Sequence, residues 1–172
     1  MIDLKKHIET HPDFPQPGIL INEISSLMAD AKIWQETINQ FSSLVKKYNP
    51  EVLVGIESRG FIFASTIAYK LGCDVIMIRK KGKLPGKTIH HFYKLEYGTD
   101  CLEIQKRETL KNKNVILIDD LLATGGTAGA AIELLQKTEA KVSVFLTLIE
   151  LTNLKGREKI KVKTDSLLSF DE

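Results

Sequence analysis

The chain has 172 residues, 43% hydrophobic and 27% charged, enough for one domain with a substantial core and too few for two comfortable ones. Its 24 Lys and Arg nearly balance its 22 Asp and Glu, so the net charge of +2 argues against a surface devoted wholly to nucleic acid. The longest apolar stretch, Val142 to Ile149, includes Ser143 and Thr147 and falls far short of the about 20 residues that span a bilayer. Residues 1–7 lack the apolar segment of a secretory signal. These features predict a cytoplasmic protein with no membrane and no nucleic-acid partner. Cys73 and Cys101 form no CxxC pair and no zinc-type cluster, so two free thiols are expected.

Three of the five prolines, Pro12, Pro15 and Pro17, fall in the first 24 residues, which read as an extended lead-in. Apolar residues at three- and four-residue steps, from Ile33 and Trp34 to Phe41 and Val45, predict a helix over 25–48 that Asn49-Pro50 stops. Val52 to Ile56 is a buried-strand pattern, Phe61 to Leu71 a helix ended by Gly72, and Asp74 to Arg79 a second strand. Gly82 to Gly98 mixes Gly, Pro, Lys and His with aromatics and shows no period, so it reads as a long loop. Cys101 to Gln105 is a short strand and Asn114 to Ile118 a buried one. Thr127 to Thr138 is a helix, Lys141 to Ile149 a strand, and 151–172 a connector with a last strand. The alternation implies one α/β domain over 1–172, with a mostly parallel central sheet flanked by helices. Ligands of such sheets bind beyond the carboxyl ends of the strands, here 57–60, 79–83 and 119–127.

At the third of these places a hydrophobic strand runs into Asp119-Asp120 and then into Leu-Leu-Ala-Thr-Gly-Gly-Thr. Glycines let backbone N–H groups approach an anion, and the helix that follows adds partial positive charge. Ala123, Thr124, Gly125, Gly126 and Thr127 therefore form a candidate phosphate cradle. Two carboxylates beside a phosphate repel it unless they face another part of the ligand, and vicinal sugar hydroxyls suit them. A sugar 5-phosphate satisfies both halves. At the other strand ends, Ser58 and Arg59 could hold a diphosphate, and Arg79, Lys80 and Lys83 belong to a basic run. Gly82 to Thr88 is one residue short of a Walker loop and is set aside. His90 and His91 read as exposed loop residues, and Trp34 and Phe41 as core.

Residues 115–127 resemble the phosphoribosyl-pyrophosphate (PRPP) motif of the type I phosphoribosyltransferases. Asp13–Gly18, Glu57–Phe61, Arg79–Gly86, Leu95–Gly98, Leu102–Gln105 and Glu150–Glu158 match, in order, the branch of that family that takes adenine. The resemblance implies transfer of phosphoribosyl from PRPP to adenine, giving AMP and pyrophosphate, in a homodimer, with Mg²⁺ held mainly by substrate and by no direct protein ligand. It implies that 1–24 form a hood and that 82–99 is a flexible loop that closes on the site. It further implies pyrophosphate binding by Ser58, Arg59, Arg79, Lys80 and Lys83, with a cis peptide before Ser58. Catalytic roles fall to Glu96, Asp119 and Asp120, and Tyr97 covers the ligand. Leu20, Ile21, Asn22, Glu57 and Leu121 are implied at adenine. The family carries Phe-Arg-Asp where this chain has Ile21-Asn22-Glu23, so aromatic stacking on the base is lost and backbone readout is retained. Another purine acceptor remains open, as does a regulator that senses PRPP without turnover.

Overall fold

The computed structural model describes residues 2–13, 20–95 and 98–171. A seven-stranded sheet forms its centre, ordered β5-β6-β4-β3-β7-β8-β9. Strands β3 (Val52–Ile56), β4 (Asp74–Lys80), β7 (Asn114–Leu122), β8 (Lys141–Leu151) and β9 (Lys163–Phe170) run parallel. Strands β5 (Thr88–Leu95) and β6 (Gly98–Gln105) form an antiparallel extension. A separate two-stranded sheet of β1 (Glu9–Pro12) and β2 (Leu20–Glu23) occupies the N-terminal region expected to be a hood.

The pleat divides the core between the two sheet faces. Leu53, Ile116, Ile118, Val144, Leu146 and Leu148 join Phe41, Val45, Phe63 and Ile67, which come from helices α2 (Ala31–Lys46) and α3 (Gly60–Leu71). Val52, Val54, Ile56, Val115, Leu117 and Phe145 join Ala131, Leu134 and Leu135 of α4 (Gly126–Gln136). Period-two alternation thus sends neighbouring residues of each central strand to opposite cores, and because both faces are covered these strands read as continuous apolar runs. Phe41 is fully buried and Trp34 packs tilted on Phe63, as expected of core residues.

Three local differences from the sequence reading have physical causes. The helix expected over 25–48 is two, α1 (Ser25–Ala29) and α2, because Asp30 is extended and its Oδ1 accepts from Lys32 N at 2.8 Å and Ile33 N at 3.1 Å. The loop expected over Gly82–Gly98 is corrected for Thr88–Leu95, which pairs in register from Thr88↔Gln105 to Leu95↔Gly98. No described residue of that strand is fully buried and Phe92 is mostly exposed, so neither face carries a clean apolar stripe. Finally, β7 continues four residues past Ile118, which puts the acidic pair within a strand. Both cysteines are free, and no helix among the described residues is long and apolar enough to cross a membrane.

Candidate active site

A cleft of about 370 Å³ lies at the carboxyl ends of β3 and β7, lined by residues 57–59 and 119–128. Two of the three segments singled out from sequence therefore form its walls. The Glu57–Ser58 peptide is cis, as the resemblance implies. Gly60 brings this turn against β7: a Cβ there would lie 2.8 Å from Ile118 O and 3.0 Å from Asp119 Oδ1. Only glycine permits that approach, so Gly60 fixes the distance between the Ser58–Arg59 turn and the acidic pair.

Arg59 Nε lies 2.8 Å from Asp120 Oδ2, a contact between a half-exposed guanidinium and a nearly buried carboxylate. The contact is made through Nε, and Arg59 also lines the cleft. Asp119 is partly buried beside it. Its Oδ1 accepts from Asp120 N at 2.9 Å. Burial, with the Asp120 charge beside it, pushes the Asp119 carboxyl well above the ordinary range.

The cradle follows directly. Gly125, at φ +80°, turns the chain into α4, and neither α4 nor α3 has a side-chain cap on its first turn. The first-turn N–H groups of α4 thus begin beside the cleft, where an anion would satisfy them, whereas in α3 Phe61 N and Ile62 N already donate to Ser58 O and Arg59 O.

Arg79, Lys80 and Lys83 are not among the residues lining this cleft, and Glu57, which lines it, ties them together. Its carboxylate accepts from Lys80 N at 2.9 Å and Arg79 Nε at 3.3 Å, and it pairs with the Lys83 ammonium. Burial alone would raise Glu57, but Lys83, the Lys80 N–H and Arg79 overcome it and hold the carboxyl down at about 2. Glu57 therefore organises the basic run in this structure, which competes with the role at adenine expected for it. Lys80 Nζ pairs with Asp100 at 2.9 Å, and Tyr93 OH donates to the same carboxylate at 3.4 Å. Buried Glu103 accepts from Lys83 N at 2.8 Å and Leu84 N at 2.7 Å.

Tyr93, Asp100 and Glu103 were not singled out from sequence. All three lie on the β5–β6 hairpin, and reading its register would have revealed them. His90 and His91 also belong to β5 rather than to a loop: His91 lies 3.0 Å from Glu133 and His90 3.3 Å from Glu103. Leu121 lines the cleft. Leu20, Ile21 and Asn22 form β2, and buried Asn22 accepts from Thr10 Oγ1 at 3.2 Å while its Nδ2 has no partner among the described residues. Glu96 and Tyr97, expected as proton carrier and cover, lie outside the described residues.

A strand-borne acidic pair, a glycine loop opening a helix and a turn holding an arginine thus line one cleft. The family model described as a phosphoribosyl transferase domain matches residues 21–170, and the chain belongs to that family. Among curated relatives, the adenine phosphoribosyltransferase of Rhodospirillum rubrum is 52% identical over 170 residues, covering 99% of each chain. That of Acidiphilium cryptum is 48% identical over 171 residues, covering 99% of this chain and 100% of the relative. Among solved structures, the Saccharomyces cerevisiae adenine phosphoribosyltransferase, complexed with an imino-altritol bisphosphate and adenine, superposes with a TM-score of 0.92. It is 38% identical, with 96% of each chain covered.

Proposed function

We propose that this chain transfers the phosphoribosyl group of PRPP to adenine, forming AMP and releasing pyrophosphate. The observation that carries the reading is the pairing of Asp119-Asp120 with the 123–127 cradle across one cleft from Ser58 and Arg59. Full-length similarity to relatives named adenine phosphoribosyltransferase supports adenine as the acceptor.

In this mechanism residues 123–127 bind the 5-phosphate through backbone N–H groups and the Thr124 and Thr127 hydroxyls. Asp119 and Asp120 accept hydrogen bonds from the ribose hydroxyls and favour positive charge on the sugar. The C1–O bond breaks with its electron pair leaving on pyrophosphate, which Ser58, Arg59, Arg79, Lys80 and Lys83 receive. Purine N9 then bonds to C1, and its proton passes to Glu96, with Tyr97 over the ligand. Leu20, Ile21, Asn22 and Leu121 hold the base, with backbone groups reading its edge. Glu57 serves the basic residues rather than the base.

The cleft offers hard carboxylate oxygens at Asp119 and Asp120 beside the place of the substrate. These hard oxygens suit a site where Mg²⁺ would be held mainly by substrate oxygens and would supply charge neutralisation to pyrophosphate. The protein acts in the cytoplasm, a reading that the two free thiols support.

Mass spectrometry of adenine, PRPP, Mg²⁺ and the purified chain should show AMP and pyrophosphate. No AMP, with a nucleotide formed from hypoxanthine or guanine, would overturn the choice of base. PRPP binding without pyrophosphate release from any base would make the chain a sensor. Asp119→Asn with Asp120→Asn should lower kcat/KM at least about tenfold, roughly 1.4 kcal/mol of transition-state stabilisation.

A further inference from the structure

The cradle rests on a junction of two backbones. A Cβ on Gly156 would lie 2.1 Å from Ala123 O and 2.9 Å from Gly125 N, and one on Gly125 would lie 2.3 Å from Gly156 O. Neither side admits a side chain, so the segment after β8 is moulded directly to the loop.

What holds Gly156 in place is its neighbour. Arg157 Nε donates to Glu150 Oε1 at 2.9 Å, its Nη2 bonds Glu150 Oε2, and its Nη1 reaches Thr164 O. Ser166 Oγ donates to Glu150 Oε2 at 2.9 Å. Glu150 is almost fully buried, and it sits in register with Leu122, the last residue of β7 before the cradle. One carboxylate on β8 thus gathers Arg157 from the connector and Ser166 from β9, directly beside the root of the loop. An ion pair with one buried and one half-exposed partner is weak evidence of stability in itself, because desolvation and solvent screening offset its attraction. Its geometry here converges on one loop.

We propose that Glu150, Arg157 and Ser166 are positioning residues. They clamp Gly156 beneath Ala123–Gly125 and preset the backbone N–H groups that receive the 5-phosphate. The clamp rests on the reading of residues 123–127 as the 5-phosphate cradle. Preorganised donors need no rearrangement when the anion arrives.

The clamp is tested with Gly156→Ala, Arg157→Met, Arg157→Lys and Ser166→Ala in the full chain. Steady-state kinetics should show KM for PRPP raised at least about tenfold by the first two, with KM for adenine within about twofold of the native value. Arg157→Lys keeps charge but loses the fork, so its KM for PRPP should fall between native and Arg157→Met. Titration calorimetry with ribose 5-phosphate should show the same ranking. A lower melting midpoint with unchanged PRPP KM and unchanged ribose 5-phosphate affinity would reduce the network to a fold staple and overturn the proposal. If Arg157→Met or Gly156→Ala does not fold, Arg157→Lys and Ser166→Ala decide. Each is expected to raise KM for PRPP at least about threefold, and no change in either overturns the clamp. A native chain that binds neither PRPP nor ribose 5-phosphate would remove the cradle reading itself. Native binding with indifferent variants removes only the clamp.

Discussion

Asp119 and Glu57 are carboxylates on opposite sides of one cleft, and folding moves them in opposite directions. Burial and Asp120 raise Asp119 well above the ordinary 3.8. A carboxyl raised on folding favours the fold when protonated and opposes it when charged, so its contribution is lost as pH rises through the folded value. At neutral pH the charged Asp119 therefore costs stability that the ribose hydroxyls would recover. Asp119→Asn should raise the melting midpoint of the ligand-free protein at pH 7 while lowering turnover. The gain should shrink on acidification, as the native carboxyl takes up its proton. A midpoint at pH 7 no higher than native would contradict this. Glu57 behaves conversely, held at about 2 against an ordinary 4.5. Its contribution is present above pH 4.5 and is lost as pH falls from there through about 2. Glu57→Gln should melt lower than native at pH 7, with the gap narrowing below pH 4.5, and a gap that does not depend on pH would assign the loss to packing instead.

The hairpin of β5 and β6 is the element that fixes the basic run. Glu103, on β6, caps the turn after β4 by accepting two backbone N–H groups, from Lys83 and Leu84, in a nearly buried setting. Burial alone would raise its carboxyl, and the Leu84, Gly82 and Lys83 N–H groups bring it below the ordinary value. Glu103→Ala leaves those donors unpaired and should cost roughly 2 kcal/mol in chemical denaturation. It should also raise KM for pyrophosphate in the reverse reaction. A loss below roughly 0.5 kcal/mol would mean that water replaces the carboxylate at no cost. Sequence pattern shows this element poorly. Strands β3 and β7 are buried on both faces, and their apolar runs announce them. Thr88 to Lys94 is half-exposed or exposed on both faces, so no period marks it, and Tyr93 and Asp100 stay hidden with it. The cradle and the acidic pair were legible because adjacent residues make them. The Glu150–Arg157–Ser166 and Glu57–Lys83 groupings were not, because they join residues 7 to 26 positions apart.

At the scale of the whole molecule, the sheet is unfinished along β4. Its ladder to β3 is complete from Asp74 to Ile78, but on the other side β6 pairs only with Arg79 and Lys80. Among the described residues, the first five of β4 thus present one open edge. Val75 and Met77, which share a face, are 47% and 44% exposed, beside Phe61 at the start of α3. Apolar residues on an open strand edge invite another chain. We infer that a second copy covers this edge, forming the homodimer that the family resemblance implies. Arg79, Lys80 and Lys83 continue from the same strand, so the partner would sit close to the residues assigned to pyrophosphate. Sedimentation equilibrium should give the native protein twice the chain mass. Met77→Asp should shift it toward single chains, because one charge on each copy would be buried without a partner. Loss of the dimer should also raise KM for PRPP, through disorder of the basic run, while leaving the far-ultraviolet spectrum of the chain intact. A native protein that sediments as one chain would remove the dimer. A Met77→Asp variant that remains dimeric would place the interface on another face.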